Sequence, residues 1–181
     1  MAVDVYLKMR YTVQPASLDD IPLLSSLVNS AYRGESSRKG WTTEADLLDG
    51  TRIDETALLE LLQRPDTVIM LCKDQSRLLG CVELRKEGEK MYLGMLSVHP
   101  ESQGSGIGKL LLQAGDDYAL SQQCSTMYMT VISVRQTLID WYVRHGYQLT
   151  GERKPFIIPD ERWGIPKQHL EFVVLKKKLS L

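Results

Sequence analysis

The sequence is poor in cysteine, has no long apolar run and carries no excess of either charge. Cys72, Cys81 and Cys124 are odd in number and widely separated. That fits neither a secreted disulfide framework nor a set of paired zinc ligands, so they read as reduced core thiols and no metal site is expected. The longest apolar run, Met91 to Val98, falls far short of the roughly 18 to 20 residues that cross a bilayer, which excludes a membrane-spanning helix. Asp4 and Lys8 interrupt the stretch where a secretion signal would be apolar, so a cytoplasmic location is expected. Lys plus Arg total 22 against 23 Asp plus Glu, a net charge of −1. No global field is available to hold nucleic acid or an anionic membrane, and a small, locally recognised ligand is the expectation that remains.

What is present suits a globular chain. Of 181 residues, 43% are hydrophobic and 25% charged, enough for a sizeable core in one domain spanning residues 1–181. Ser17, Asp19 and Asp20 precede a run with Leu24, Leu27, Val28 and Ala31 at helical spacing, which should end near Arg33-Gly34. From Glu35 to Asp54 no period is evident, and an irregular stretch of that length usually serves a function. Asp54 then caps a short helix carrying Leu58, Leu61 and Leu62. Thr67–Lys73, Leu78–Arg85 and Lys90–Val98 read as a three-stranded antiparallel meander. Its last strand is apolar on both faces, as a central strand is when helices cover both sides.

A helix bearing Ile107, Leu110, Leu111, Ala114 and Tyr118 follows, with Asp116 and Asp117 placed outward. Thr126–Ile132 is a further strand. Ser133 is the expected cap of a helix through Val134, Leu138, Trp141, Tyr142 and His145, closed by a left-handed Gly146. Tyr147–Thr150 and His169–Leu175 supply the last strands, and Lys176-Lys177-Lys178 reads as a solvated strand end. The fold class is α/β: a mixed, mostly antiparallel sheet of six to seven strands with helices on both faces.

The chemistry concentrates at Leu96-Ser97-Val98-His99-Pro100-Glu101-Ser102-Gln103-Gly104-Ser105-Gly106-Ile107-Gly108-Lys109. A strand ends, a turn poor in side chains follows, and a helix begins. That combination aims free backbone N–H groups and the positive helix end at one spot, suited to phosphate. Glycines at 104, 106 and 108 leave the amides accessible, and Lys109 adds a positive charge. A Walker loop needs four residues between its first glycine and Gly-Lys, then Ser or Thr; Gly104 and Gly108 enclose three and Leu110 follows Lys109. A dinucleotide fingerprint would want glycine where Lys109 stands.

Gln103, Gly106 and Gly108 instead match a pattern that resembles the acetyl-coenzyme A loop of the GNAT superfamily of N-acetyltransferases. Trp141-Tyr142-Val143-Arg144-His145-Gly146-Tyr147 looks like that family's second signature, and the resemblance covers about residues 11 to 177. Arg33-Gly34-Glu35 and Gly40-Trp41-Thr42-Thr43-Glu44 look like a largely uncharacterised subgroup.

The resemblance implies transfer of an acetyl group from acetyl-coenzyme A to a primary amine of a small molecule or amino-acid-like acceptor. A protein or peptide acceptor, or a non-catalytic acyl-coenzyme A sensor, is the alternative, and self-association as a homodimer is left open. It implies that residues Gln103, Gly104, Ser105, Gly106, Ile107, Gly108 and Lys109 hold the pyrophosphate, while Leu96, Ser97 and Val98 lie along the pantetheine arm like an added strand. The sheet should splay beyond this strand, with Thr130 to Ser133 lining the other side. Tyr142 is the expected acid, since a phenol near pKa ~10 can serve a leaving thiolate near ~8.5. The proton of the attacking ammonium needs an acceptor, and Glu83, Glu44 and His99 are the candidates. Arg135 could reach a cofactor phosphate or the strand end. Trp41 and Glu44 are expected on the acceptor side, together with the proline-rich Arg153–Gln168 segment containing Phe156, Pro159 and Trp163.

Overall fold

Three consecutive strands form the meander that the alternating pattern calls for. In a computed structural model, which describes residues 10–158 and 163–180, β3 (Thr67–Asp74), β4 (Arg77–Glu87) and β5 (Lys90–Val98) pair antiparallel in turn. Asp4, Lys8 and Pro159, named above, lie outside the described residues. β1 (Thr12–Pro15) lines the free edge of β3, and β6 (Thr126–Ile132), β9 (Glu171–Lys178) and β7 (Gln148–Pro155) follow on the other side. The seven strands lie in the order β1-β3-β4-β5-β6-β9-β7, antiparallel except where β5 meets β6.

Side-chain alternation divides the apolar residues between two layers. Ile69, Leu71 and Cys81 face one way and pack with α1 (Ile21–Tyr32) and α3 (Glu55–Leu62). Cys72, Val82 and Leu84 face the other way and pack with α4 (Ile107–Ser121) and α5 (Gln136–Arg144). Leu24, Leu27, Val28 and Ala31 are all buried, as their spacing requires. Asp54 caps α3 by accepting from the Ala57 amide at 2.8 Å. All three cysteines are buried and free; burial pushes the Cys72 thiol up to about 11 and the Cys81 thiol up to about 12. Among the described residues no helix is long and apolar enough to cross a membrane.

One irregularity shapes everything that follows. β5 and β6 pair only from Lys90–Tyr92 to Thr126–Tyr128, at the start of both strands. Further along, Met95 takes a left-handed φ of 49° and the register against β4 slips, Cys81 facing Ser97 while Glu83 faces Gly94. A bulge of this kind bends its strand, so the far half of β5 leaves β6 and a wedge opens between them. This is the splay that the family resemblance implies.

Several details depart from the pattern. Ser133 does not cap α5, which starts at Gln136 behind Arg135; the Ser133 amide instead continues the β6–β9 pairing by donating to the Glu171 carbonyl. The stretch without period contains α2 (Gly34–Ser37) and β2 (Leu48–Asp49), the latter paired with β8 (Ile165–Pro166). Asp116 is buried, not outward, and it accepts from Lys177, so the lysine run belongs to β9 and is only partly a solvated end.

Candidate functional site

The loop between β5 and α4 supplies the first half of the site. His99 Nδ1 accepts from the Glu101 amide at 3.4 Å, steadying a tight turn over Pro100–Ser102. Gly104 and Gly106 then take φ of 81° and 88°, conformations that side chains resist, and α4 begins at Ile107. The Leu110 amide donates to the Gly106 carbonyl at 3.0 Å to close the first turn of α4, and the amides at a helix start face out of the helix end. A Cβ on Gly104 would stand in open space, with no atom within 4 Å.

These amides line a cleft of about 510 Å³. Its walls include Leu96 and Val98 on one side and Trp141, Tyr142 and Arg144 on the other, with Lys109 at the loop. The His99 amide bonds Leu79 on β4, so strand alternation turns the Val98 and Leu96 main-chain groups toward the wedge. Gln103 holds a third wall. Its Oε1 accepts from the Trp41 amide at 2.8 Å, and its Nε2 donates to Thr42 Oγ1 at 2.9 Å and to the Val98 carbonyl at 3.2 Å. Gly40 makes that clip feasible, since a Cβ there would meet the Gln103 amide at 2.6 Å. An open wall, outward amides and a lysine fit a diphosphate, and a strand edge along the wedge fits an amide-bearing arm.

A second cavity of about 390 Å³ opens on the other side of the wedge. Tyr32, Leu96, Arg135, Leu138 and Tyr142 line both cavities, so the two adjoin at these side chains, Tyr142 among them. Burial pushes the Tyr142 hydroxyl well above its ordinary value, Tyr32 and Tyr147 act in the same direction, and Arg135 opposes them. It keeps its proton at neutral pH. Tyr32 donates its hydroxyl proton to the Leu96 carbonyl, fixing the bulged strand from across the wedge.

Charge in the second cavity is tightly arranged. Glu44 is buried and accepts from Arg33 on one oxygen and from Arg135 on the other, the latter at 2.8 Å. Arg135 also donates to the Thr42 carbonyl at 2.6 Å. Glu83 lies on β4 opposite Gly94, near Arg85 at 3.4 Å. Burial pushes its carboxyl up, with Arg85 and Arg52 pulling the other way. A Cβ on Gly94 would come 3.0 Å from Glu83 Oε2 and 2.7 Å from the Tyr92 ring, so Glu83 packs directly beside Gly94, which lines the cavity, without itself being on the lining.

The structure gathers most of the residues singled out by sequence, though not all in the expected roles. Leu96, Val98, Gln103, Gly104, Gly106, Ile107, Gly108 and Lys109 line the first cleft with Tyr142. Ser97 does not: it is buried toward β4, its hydroxyl donating to the Met95 carbonyl at 3.1 Å. The Ser105 hydroxyl points back to the Ser102 carbonyl. Arg135 is held by Glu44 and Thr42, not directed to a phosphate or the strand end. Trp41 lines the first cleft and not the second cavity, 6.2 Å from Trp141 ring to ring. Glu44, held by two arginines, is not available as a base, and His99 lies against a separate surface pocket beside Leu23 and Gln75. Thr130, Val131, Phe156 and Trp163 line the second cavity as the sequence suggests. Tyr32 was missed because it continues the apolar spacing of α1 and reads as core.

The model of the Acetyltransferase (GNAT) family matches residues 24–147. No curated protein matches the sequence. Among solved structures, the ribosomal-protein-S18-alanine N-acetyltransferase from Escherichia coli superposes with a TM-score of 0.71 at 12% identity, covering 94% of this chain and 95% of that one. A Salmonella typhimurium protein described as an acetyltransferase with its cofactor acetyl-CoA gives 0.68 at 18% identity, with the same coverage of 94% and 95%. Spermidine N-acetyltransferase from Vibrio cholerae, in a mutant form, gives 0.67 at 14% identity, again covering 94% and 95%. At these identities the likeness is one of fold.

Proposed function

The chain belongs to the GNAT acetyltransferase family, acyltransferases that use acetyl-CoA, and on that premise we propose that it acetylates a primary amine of a small molecule, with residues 1–181 acting as one catalytic unit. The observation that carries this reading is the meeting of two cavities at Tyr142: a cradle of main-chain donors opens on one side and a charged, partly apolar chamber on the other.

When bound, acetyl-CoA supplies an acetyl group already activated as a thioester. The amides from Gly104 to Lys109 would hold its diphosphate, with Lys109 adding charge, and the Val98 and Leu96 main chain would line its arm. The Val98 N–H faces the wedge as a main-chain donor for charge developing on a carbonyl there. Tyr142 holds a proton on Oη at the junction, kept there by burial, and serves as the acid. Glu83, whose burial raises its proton affinity and whose carboxylate sits beside Gly94 of the chamber lining, serves as the acceptor of the ammonium proton. Trp41, clipped by Gln103, closes the outer wall and excludes solvent.

Titration calorimetry with acetyl-CoA, followed by a thiol-release assay across a panel of small amines, tests the proposal. Tight binding together with release on at least one amine is expected. Binding without turnover on any amine would replace the transferase reading with a non-catalytic acyl-CoA binder, and acetylation of peptides alone would remove the small-molecule acceptor.

A further inference from the structure

We propose that the acceptor carries a carboxylate in addition to its amine, and that Arg52 receives that carboxylate. The inference rests on the acyl-transfer reading and names the acceptor class within it. Among the described residues the chamber beyond Tyr142 is lined by three guanidiniums, Arg33, Arg52 and Arg135, against one carboxylate, Glu44. Both Glu44 oxygens are already engaged, by Arg33 and Arg135. Among the described lining residues an incoming ammonium therefore meets no unengaged carboxylate, whereas an anion meets a cation.

Arg52 is that cation. It is partly buried, its guanidinium lies 5.8 Å from the centre of the Tyr32 ring, and among the described residues no carboxylate lies within ion-pair distance of it. Glu83 senses its field but pairs with Arg85. The segment that carries Arg52 is fixed, although it lies in the stretch without regular period. Its amide donates to Asn29 Oδ1 at 2.8 Å, while Asn29 Nδ2 donates to the Ile53 carbonyl and to the Ser25 carbonyl, each at 2.8 Å. Asn29 thus pins the loop to α1 and presents Arg52 to the chamber already positioned.

Leu48, Ile53, Ala57 and Phe156 give the chamber apolar walls, which strengthen a charge pair relative to water. A guanidinium offers a planar pair of donors that matches a carboxylate edge on edge. The volume of about 390 Å³ is at the small end for ligand sites and suits a compact zwitterion better than a long polyamine.

The test is a thiol-release assay with acetyl-CoA on matched acceptors: the amino acids, their carboxamides, and the corresponding decarboxylated amines, with phosphoethanolamine as a further anion. Loss of a charge-assisted hydrogen bond corresponds to about a ten- to hundredfold change, so kcat/KM should favour the carboxylate member of a pair by that ratio. Arg52→Met should bring the ratio close to one and Arg52→Lys should restore part of it, with melting curves showing both variants folded. Calorimetry of N-acetyl amino acids in the presence of CoA, against wild type and Arg52→Met, reads carboxylate binding without turnover. A decarboxylated amine or phosphoethanolamine used as well as the amino acid, or a preference that survives Arg52→Met, would overturn the inference while leaving acyl transfer intact. Arg52-dependent binding of N-acetyl amino acids with no turnover of any amine would uphold the carboxylate site and remove the transfer reading. Absence of both would remove both.

Discussion

Two glycines allow the phosphate cradle to be tested apart from the fold. Gly104 sits at φ 81° in the loop before α4, and Gly88 at φ 63° in the turn between β4 and β5; a Cβ added at either meets no atom within 4 Å. Alanine at each position therefore pays only for the left-handed backbone, about 1 to 2 kcal/mol. For a chain of this size that is roughly 2 to 8 °C in thermal midpoint, and the two variants should melt alike. They differ in what the new methyl faces. At 88 it meets solvent; at 104 it stands on the wall of the cleft whose amides are assigned to the diphosphate. Displacing one charge-assisted hydrogen bond costs about 1.5 to 3 kcal/mol, so Gly104→Ala should bind acetyl-CoA about ten- to hundredfold more weakly while Gly88→Ala binds as wild type. Calorimetry on both folded variants reads the difference. Equal affinities, with equal melting, would refute the cradle.

Tyr142→Phe should lower turnover about a hundredfold or more with little change in acetyl-CoA affinity, read by steady-state kinetics beside calorimetry; undiminished kcat would remove the tyrosine from proton transfer. Gln103→Ala deletes three hydrogen bonds that hold the Trp41 wall, at about 0.5 to 1.5 kcal/mol each. Faster acetyl-CoA release and a shifted tryptophan emission should follow, and unchanged release would show that the wall is not held by the clip. Glu83 is raised by burial, so the folded state binds its proton more tightly than the unfolded chain. Its contribution to stability is present below the unfolded carboxyl value and lost as pH rises through the folded one. Glu83→Gln should accordingly melt no lower than wild type at neutral pH while losing turnover, and should abolish an acidic limb of kcat/KM lying above the usual carboxylate range. A variant with full turnover would exclude Glu83 as the proton acceptor.

Much of the fold is legible in the sequence, and the exceptions have physical causes. The meander, both main helices and the glycine-spaced loop follow from local rules: alternation, helical spacing, caps and positive φ. Tyr142 and the loop, which line the cavities, are legible because each lies in a contiguous signature. Charges defeated the reading where their partners lie far along the chain. Arg135 and Glu44 are separated by 91 residues and Asp116 and Lys177 by 61, so burial of these groups depends on contacts that no window of sequence displays. The placement of Trp41 on the first cleft is hidden for the same reason, because its amide is held by Gln103, 62 residues away. The Met95 bulge, which opens the wedge, leaves no mark in composition; its left-handed residue is not a glycine.

Amide hydrogen exchange with and without acetyl-CoA addresses the central claim at the atoms concerned. Saturating ligand should slow exchange at residues 104–109 and at Val98, with smaller effects on the distant turn at Gly88. Saturation without any slowing at those amides would contradict the assignment of the β5–α4 corner as the place where the carrier is held.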